Sequence, residues 1–272
     1  MAWDVKRIAG RLLRSAIFIV VAVYAGFSAL VYFFQERLIF RPTTLPATHQ
    51  FGLADVQEVK VPVEGAELSA LHFRQPDAKG VVFFLHGNAG DLSTWLTSTD
   101  FYRRTKFDLF MIDYRGFGKS TGKIDGEAQM HADVRRAYDL IAPQYAGKKI
   151  ILYGRSLGTG LAAKLSTEVK ADLTVLVSPY SSILELGKQF YPWLPEFVSR
   201  YPMRSDLWLP QSKNPVLILH GDRDELIPLA HGQRLKALSA AAELMVIENA
   251  AHNDIHKFPK YLDALAGRLT AL

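Results

Sequence analysis

Gly154-Arg155-Ser156-Leu157-Gly158 follows the apolar run Lys149-Ile150-Ile151-Leu152-Tyr153 and precedes Thr159-Gly160-Leu161-Ala162-Ala163-Lys164-Leu165. The stretch reads as a strand, a sharp turn of the form Gly-x-Ser-x-Gly and a helix, which is the sequence form of a nucleophile elbow. A serine at the tip of such a turn sits in strained backbone. A side chain at either flanking glycine would collide with the neighbouring strand or helix. The pentapeptide alone arises often by chance, and the flanking strand and helix patterns give it weight.

A nucleophilic serine needs a base, an acid to orient that base, and donors for the oxyanion. Candidates for all three lie at the ends of apolar runs. Val81-Val82-Phe83-Phe84-Leu85 feeds His86-Gly87-Asn88-Ala89-Gly90, Val216-Leu217-Ile218-Leu219 feeds His220-Gly221-Asp222-Arg223-Asp224, and Leu244-Met245-Val246-Ile247 leads to Asn249-Ala250-Ala251-His252-Asn253-Asp254. The order serine, acid, histidine is that of hydrolases built on a parallel sheet, each residue just past a strand end. The backbone N–H groups of Asn88 and Leu157 are the expected oxyanion donors.

His-Gly-Asn-Ala-Gly at 86–90, Asp-Tyr-Arg-Gly-Phe-Gly-Lys-Ser at 113–120, Gly-Arg-Ser-Leu-Gly at 154–158, His-Gly-Asp-Arg-Asp at 220–224 and Ala-His-Asn-Asp at 251–254 resemble the α/β-hydrolase superfamily. The most similar group is that of membrane-anchored serine hydrolases, which includes eukaryotic protein depalmitoylases and bacterial relatives. The resemblance covers roughly residues 50–270. It implies the α/β-hydrolase fold, the triad Ser156, Asp224 and His252, and hydrolysis of an acyl compound without cofactor or metal. The family pattern His-Gly-x-x-Asp places the acid at Asp224 and leaves Asp222 as a turn residue.

Other residues compete for these roles. His231 lies seven residues after Asp224 at a helix start, and His256 lies in the final helical pattern, whereas His252 occupies a loop directly after a strand. His49, His72 and His131 have no triad context and read as surface or packing residues. His86 and His220 each precede a glycine at a strand end and read as loop-shaping hydrogen-bond groups. Arg155 and Arg115 read as scaffold cations. The histidines and carboxylates do not read as a metal-ligand set.

Ser15 to Phe34 is a run of 20 residues without a charge. As a helix it spans ~30 Å, the thickness of a bilayer's hydrocarbon core. A cleaved signal peptide would carry an apolar region of only ~7–15 residues and a small-x-small site after it. The reading is therefore a basic tail at 1–14, a transmembrane anchor at 15–34, a tether at 35–50 containing Pro42 and Pro46, and a catalytic domain at 51–272. Lys6, Arg7, Arg11 and Arg14 precede the span, and Arg37 and Arg41 follow it. Positive charge favours the cytoplasmic side, which puts the domain on the extracytoplasmic face, the periplasm in a bacterium.

The chain has 272 residues and a net charge of +5. Residues 1–34 supply +3 of that charge, so the basicity is a topology signal and gives no support to nucleic-acid binding. There is no cysteine, hence no disulfide or thiol chemistry. Nothing in the pattern specifies an oligomeric state.

Past the tether, Val56–Val63 and Leu68–Phe73 alternate around Glu64-Gly65 as a hairpin. Strands near 81–85, 108–112, 149–153, 173–177, 216–219 and 244–248 then alternate with helices near 92–104, 126–142, 157–169, 231–240 and 255–268. Near-continuous apolar strands separated by helices predict a mostly parallel central sheet covered on both faces, with the hairpin at one edge. The segment 179–213 breaks this alternation and is rich in aromatics and proline. It is the expected cap, offering an apolar groove over Ser156; a plain covering helix with a loop is its competitor.

The function expected from all this is that of a membrane-anchored serine hydrolase acting on an acyl ester or thioester of a small or lipid-like substrate. A serine aminopeptidase of the prolyl-aminopeptidase type is the alternative, and it would need an anionic pocket for the substrate's amino terminus. A non-catalytic, membrane-tethered interaction protein is the least favoured reading, having no reason to keep every triad element.

Overall fold

The computed structural model describes residues 2–272, with side chains from residue 6 onward, so the first residues of the expected basic tail lie outside the described side chains. Eight strands form one sheet: β1 (Val56–Val63), β2 (Ala66–Phe73), β3 (Gly80–Leu85), β4 (Phe107–Ile112), β5 (Lys149–Arg155), β6 (Leu173–Val177), β7 (Val216–Gly221) and β8 (Ala242–Ile247). Their spatial order is β8-β7-β6-β5-β3-β4-β2-β1. All neighbours from β8 to β4 run parallel, while the β1–β2 hairpin is antiparallel and closes one edge.

The apolar runs explain the layering. Successive side chains on a strand point to opposite faces, so a strand covered on both faces must be apolar at every position. Phe83, Leu85, Phe110, Leu152, Leu176 and Ile218 enter one core, and Val82, Phe84, Leu109, Tyr153, Val175 and Leu217 the other. Helix α3 (Glu127–Ile141) packs on the first through Met130, Val134, Ala137 and Ile141, a 3.6-residue stripe. Helix α7 (Pro259–Thr270) covers the second with Tyr261, Leu265 and Leu269.

Helix α1 (Ala2–Ile39) has 38 residues, ~57 Å at 1.5 Å per residue. It runs through the expected tail and anchor and into the expected tether. One long stretch of it is apolar enough to cross a membrane, and only 6% of that window is buried against the protein. Residues 41–45 are not a free tether. Arg41 N–H donates to the Asn88 carbonyl (2.7 Å), Thr43 N–H to the Gly90 carbonyl (2.9 Å) and Leu45 N–H to the Gly118 carbonyl (2.8 Å). Backbone crossing a folded surface needs partners for its N–H groups, and these loops supply them.

Two expected elements take a different form. The helix near 92–104 is split into a turn at Leu92–Trp95 and helix α2 (Asp100–Thr105). Asp91 caps the first piece and Ser98 Oγ accepts the Asp100 N–H, so Ser and Asp side chains stop and restart the chain between them. The segment between β6 and β7 holds a true helix, α5 (Ile183–Phe190), capped by Ser182, followed by a loop of short turns.

Candidate active site

Strand β5 delivers Ser156 to a turn before helix α4 (Leu157–Leu165), with φ 51° and ψ −118° at the serine. The glycines are required by close approach. A Cβ on Gly154 would lie 2.4 Å from the Gly158 carbonyl oxygen, and one on Gly158 would lie 2.0 Å from that of Leu85. Ser156 N–H donates to the Val177 carbonyl at 3.0 Å, which ties the turn to β6.

The loop after β7 carries the candidate acid. Asp224 is buried, and its Oδ1 accepts the N–H groups of Leu226 (3.1 Å) and Ile227 (2.8 Å). Its Oδ2 lies 2.8 Å from His252 Nδ1, and His252 Nε2 lies 3.0 Å from Ser156 Oγ. With Nδ1–H donated to the carboxylate, the Nε2 lone pair faces the hydroxyl. Burial pushes the Asp224 carboxyl up, but the hydrogen bond and charge of His252 and the Ile227 N–H outweigh it and hold the group below its usual value. Asp222 is exposed and accepts the Asn249 N–H at 2.6 Å, a turn contact away from His252.

His252 is fixed from behind as well. Arg155 donates to its carbonyl at 3.2 Å, lies 3.2 Å from His256 Nδ1 and stacks its guanidinium over Trp95. Among the described residues Arg155 forms no carboxylate pair; the scaffold ion pair is that of Arg115 with Asp133, at 2.7 and 2.8 Å. Asp254 Oδ1 accepts the Ala251 N–H at 2.7 Å and shapes the same loop.

Asn88 and Leu157 line the same cavity as Ser156, and their backbone N–H groups find no acceptor among the hydrogen bonds of the described residues. Asn88 is clamped to the end of α1: its Nδ2 donates to the Ile39 carbonyl at 2.8 Å, and its own carbonyl accepts from Arg41. His86 Nδ1 contacts the Gly87 carbonyl (2.7 Å), and Nε2 lies 3.3 Å from Asp113. His220 Nε2 lies 2.8 Å from the Ile227 carbonyl. Both histidines shape loops that carry site residues.

His231 is buried elsewhere, against Ser181 Oγ (2.7 Å) and Gln189 (2.9 Å). His72 is buried beside Tyr145 (2.8 Å), which donates to Asp108 at 2.6 Å. A cavity of about 390 Å³ opens over Ser156, walled by Leu38, Ile39, Tyr180, Ile183, Leu186 and Phe190. Sequence reasoning missed the wall from α1, the clamp on Asn88 and the hold of Arg155 on His252. A residue 49 positions away carries no local signal.

This sheet order, the serine turn after β5 and the strand-end loops define one class of protein, a hydrolase with the α/β-hydrolase fold. Residues 76–209 match the family described as serine aminopeptidase, S33. Alpha/beta hydrolase domain-containing protein 17C of Xenopus tropicalis is 32% identical over 197 residues, covering 70% of this chain and 61% of the relative. The match thus spans under two thirds of that relative's length. An uncharacterised protein of Mycobacterium tuberculosis is 29% identical over 257 residues, 90% of this chain and 88% of its own. The fold is also that of a Pyrococcus furiosus esterase, with TM-score 0.66 and 20% identity over 86% of this chain and 97% of the esterase.

Proposed function

We propose that this chain is a membrane-anchored serine hydrolase of acyl esters or thioesters. The observation that carries the reading is the continuous contact Asp224–His252–Ser156, at 2.8 and 3.0 Å, at the mouth of an apolar cavity. His252 Nε2 takes the hydroxyl proton as Ser156 Oγ attacks the carbonyl carbon. Asp224 keeps the imidazole in the needed tautomer and stabilises its positive form. The N–H groups of Asn88 and Leu157 receive the developing oxyanion, the kind of contact that is usually the largest single contribution. His252 then returns the proton to the leaving alkoxide or thiolate. Water attacks the acyl-enzyme by the same route, releasing the carboxylic acid and free Ser156.

The aminopeptidase reading draws on the family description, but the cavity chemistry disfavours it. A substrate ammonium would need a carboxylate, and among the described lining residues the charged group is Arg41. The uncharged length of α1 supports anchoring, and the basic flank before it supports an extracytoplasmic domain.

The test is labelling with a fluorophosphonate, together with hydrolysis of p-nitrophenyl and thioester acyl series beside aminopeptidase substrates. Ser156→Ala is expected to abolish labelling and to lower turnover by about three to six orders of magnitude. Near-normal esterase activity in Ser156→Ala would remove the assignment.

A further inference from the structure

The serine cavity does not end under the cap. A second cavity of about 150 Å³ shares Leu38, Ile39, Ile183, Gly187 and Tyr191 with it, then continues along Val31, Leu194 and Val198. From Ile39 back to Val31 this follows ~12 Å of the α1 axis, at 1.5 Å per residue. Its lining is mainly aliphatic and aromatic. The Gln35 amide within it is consumed by contacts to the Tyr32 carbonyl (2.9 Å), the Val198 carbonyl (3.1 Å) and the Arg200 N–H (2.8 Å). Lys188 at the rim pairs with Glu196.

The cap edge reaches further along α1. Tyr24 Oη donates to the Trp193 carbonyl at 2.7 Å, and the rings of Phe27 and Trp193 lie 5.0 Å apart. Both α1 residues fall inside the uncharged run 15–34. Phe34 to Tyr24 is ~15 Å of helix, so a bilayer covering this run also covers the Trp193 turn. The side chains displayed there suit that environment: Phe190, Tyr191, Trp193 and Phe197 are exposed, Phe197 by 82%. A contiguous exposed apolar patch of this kind marks a membrane or partner contact.

We infer that the gap between α1 and the cap is an acyl channel open to the bilayer hydrocarbon, and that its occupant is the long alkyl chain of a membrane-embedded ester or thioester whose carbonyl rests at Ser156. The inference rests on the serine acyl-hydrolase reading and adds the substrate class and its route of entry. The anchor helix then has two uses: it holds the domain at the membrane and forms one wall of the binding site. A short acyl group would fill only the cavity at Ser156, whereas a long one would gain the apolar surface of the second cavity.

The experiment uses the full chain in lipid nanodiscs and reads the ratio of kcat/KM for p-nitrophenyl palmitate to that for p-nitrophenyl butyrate. Gly187→Leu narrows the junction from the cap side. A Cβ at Gly187 meets nothing within 4 Å, and leucine is the better helix former, so folding is not at risk. Val31→Trp fills the far cavity from the α1 side. The wild-type protein is expected to favour palmitate, with the ratio falling at least tenfold in both variants. An unchanged ratio in either variant overturns the channel. A wild-type enzyme that cleaves butyrate but rejects palmitate overturns the channel and leaves the hydrolase reading intact. Silence on every ester and thioester removes the hydrolase reading and the channel with it.

Discussion

At Ser156 the backbone is held at φ 51°, a region that costs a non-glycine residue ~1–3 kcal/mol. The surrounding contacts hold it there, and the requirement was legible because only glycine fits at 154 and 158. Which carboxylate meets His252 was less legible. Asp222 and Asp224 share one turn, and spacing alone does not say which carboxylate turns inward. We expect Asp224→Asn to lose about three to four orders of magnitude in kcat, because an amide no longer holds the imidazole in the useful tautomer, while Asp222→Asn keeps most activity. The reverse ranking in steady-state assays would move the acid by two residues. His72 was read as a surface or packing residue, and its burial depends on Tyr145, 73 positions away. Burial lowers its pKa to about 4 from 6.5, and His220, His231 and His256 are lowered chiefly by burial as well. An unfolded chain takes up these protons as pH falls below 6.5, whereas the folded chain holds His72 neutral until about pH 4. Stability is therefore present above pH 6.5 and declines across that window. Urea midpoints measured between those limits should fall with pH, and less steeply in His72→Phe; equal slopes would contradict the burial argument.

Among the elements, the sheet was readable because each strand carries its own signal, an apolar run ended by a loop. The hairpin alternation placed β1 and β2 at an edge. Elements defined by what they touch were not readable. The stretch 35–50 has the composition of a linker, yet residues 35–39 finish α1 and Arg41 stitches to Asn88. Gln35 shows what such contacts are worth. It is 4% exposed, accepts from the Arg200 N–H and donates to the Val198 carbonyl. Leucine there leaves a buried N–H and C=O without partners, at ~1–3 kcal/mol each. Glu36 keeps its contacts to Arg200 (2.5 Å) and Tyr201 (2.9 Å), so α1 stays attached while the cap loosens. Limited proteolysis of Gln35→Leu should cut within 191–200 faster than in wild type while the sheet domain survives. Equal cutting rates would show that the Gln35 bonds do not hold this segment.

For the whole molecule, the question is what α1 does besides its proposed anchoring. An uncharged 20-residue helical run suits a bilayer crossing and would be expensive in water. The full chain should fractionate with membranes and resist high salt and carbonate, and external protease should reach the domain in intact spheroplasts if the basic flank sets the orientation. Recovery of a soluble protein lacking its first ~30 residues would instead mark a signal peptide. A chain beginning at Phe40 separates anchoring from site-building, because it keeps Ser156, Asp224 and His252 but lacks Leu38 and Ile39. The Ile39 carbonyl accepts the Asn88 side chain at 2.8 Å, and both residues wall the serine cavity. Freed from that clamp, the Asn88 N–H should meet the oxyanion less squarely. We expect this soluble chain to hydrolyse butyrate with kcat/KM lowered about ten- to a hundredfold, less than the ~10²–10³ of deleting an oxyanion donor. A chain beginning at Val31 restores the Ile39 carbonyl and the cavity wall without most of the span, and its butyrate activity should return toward that of the full-length protein. If both truncated chains match full-length activity, α1 is a tether and nothing more.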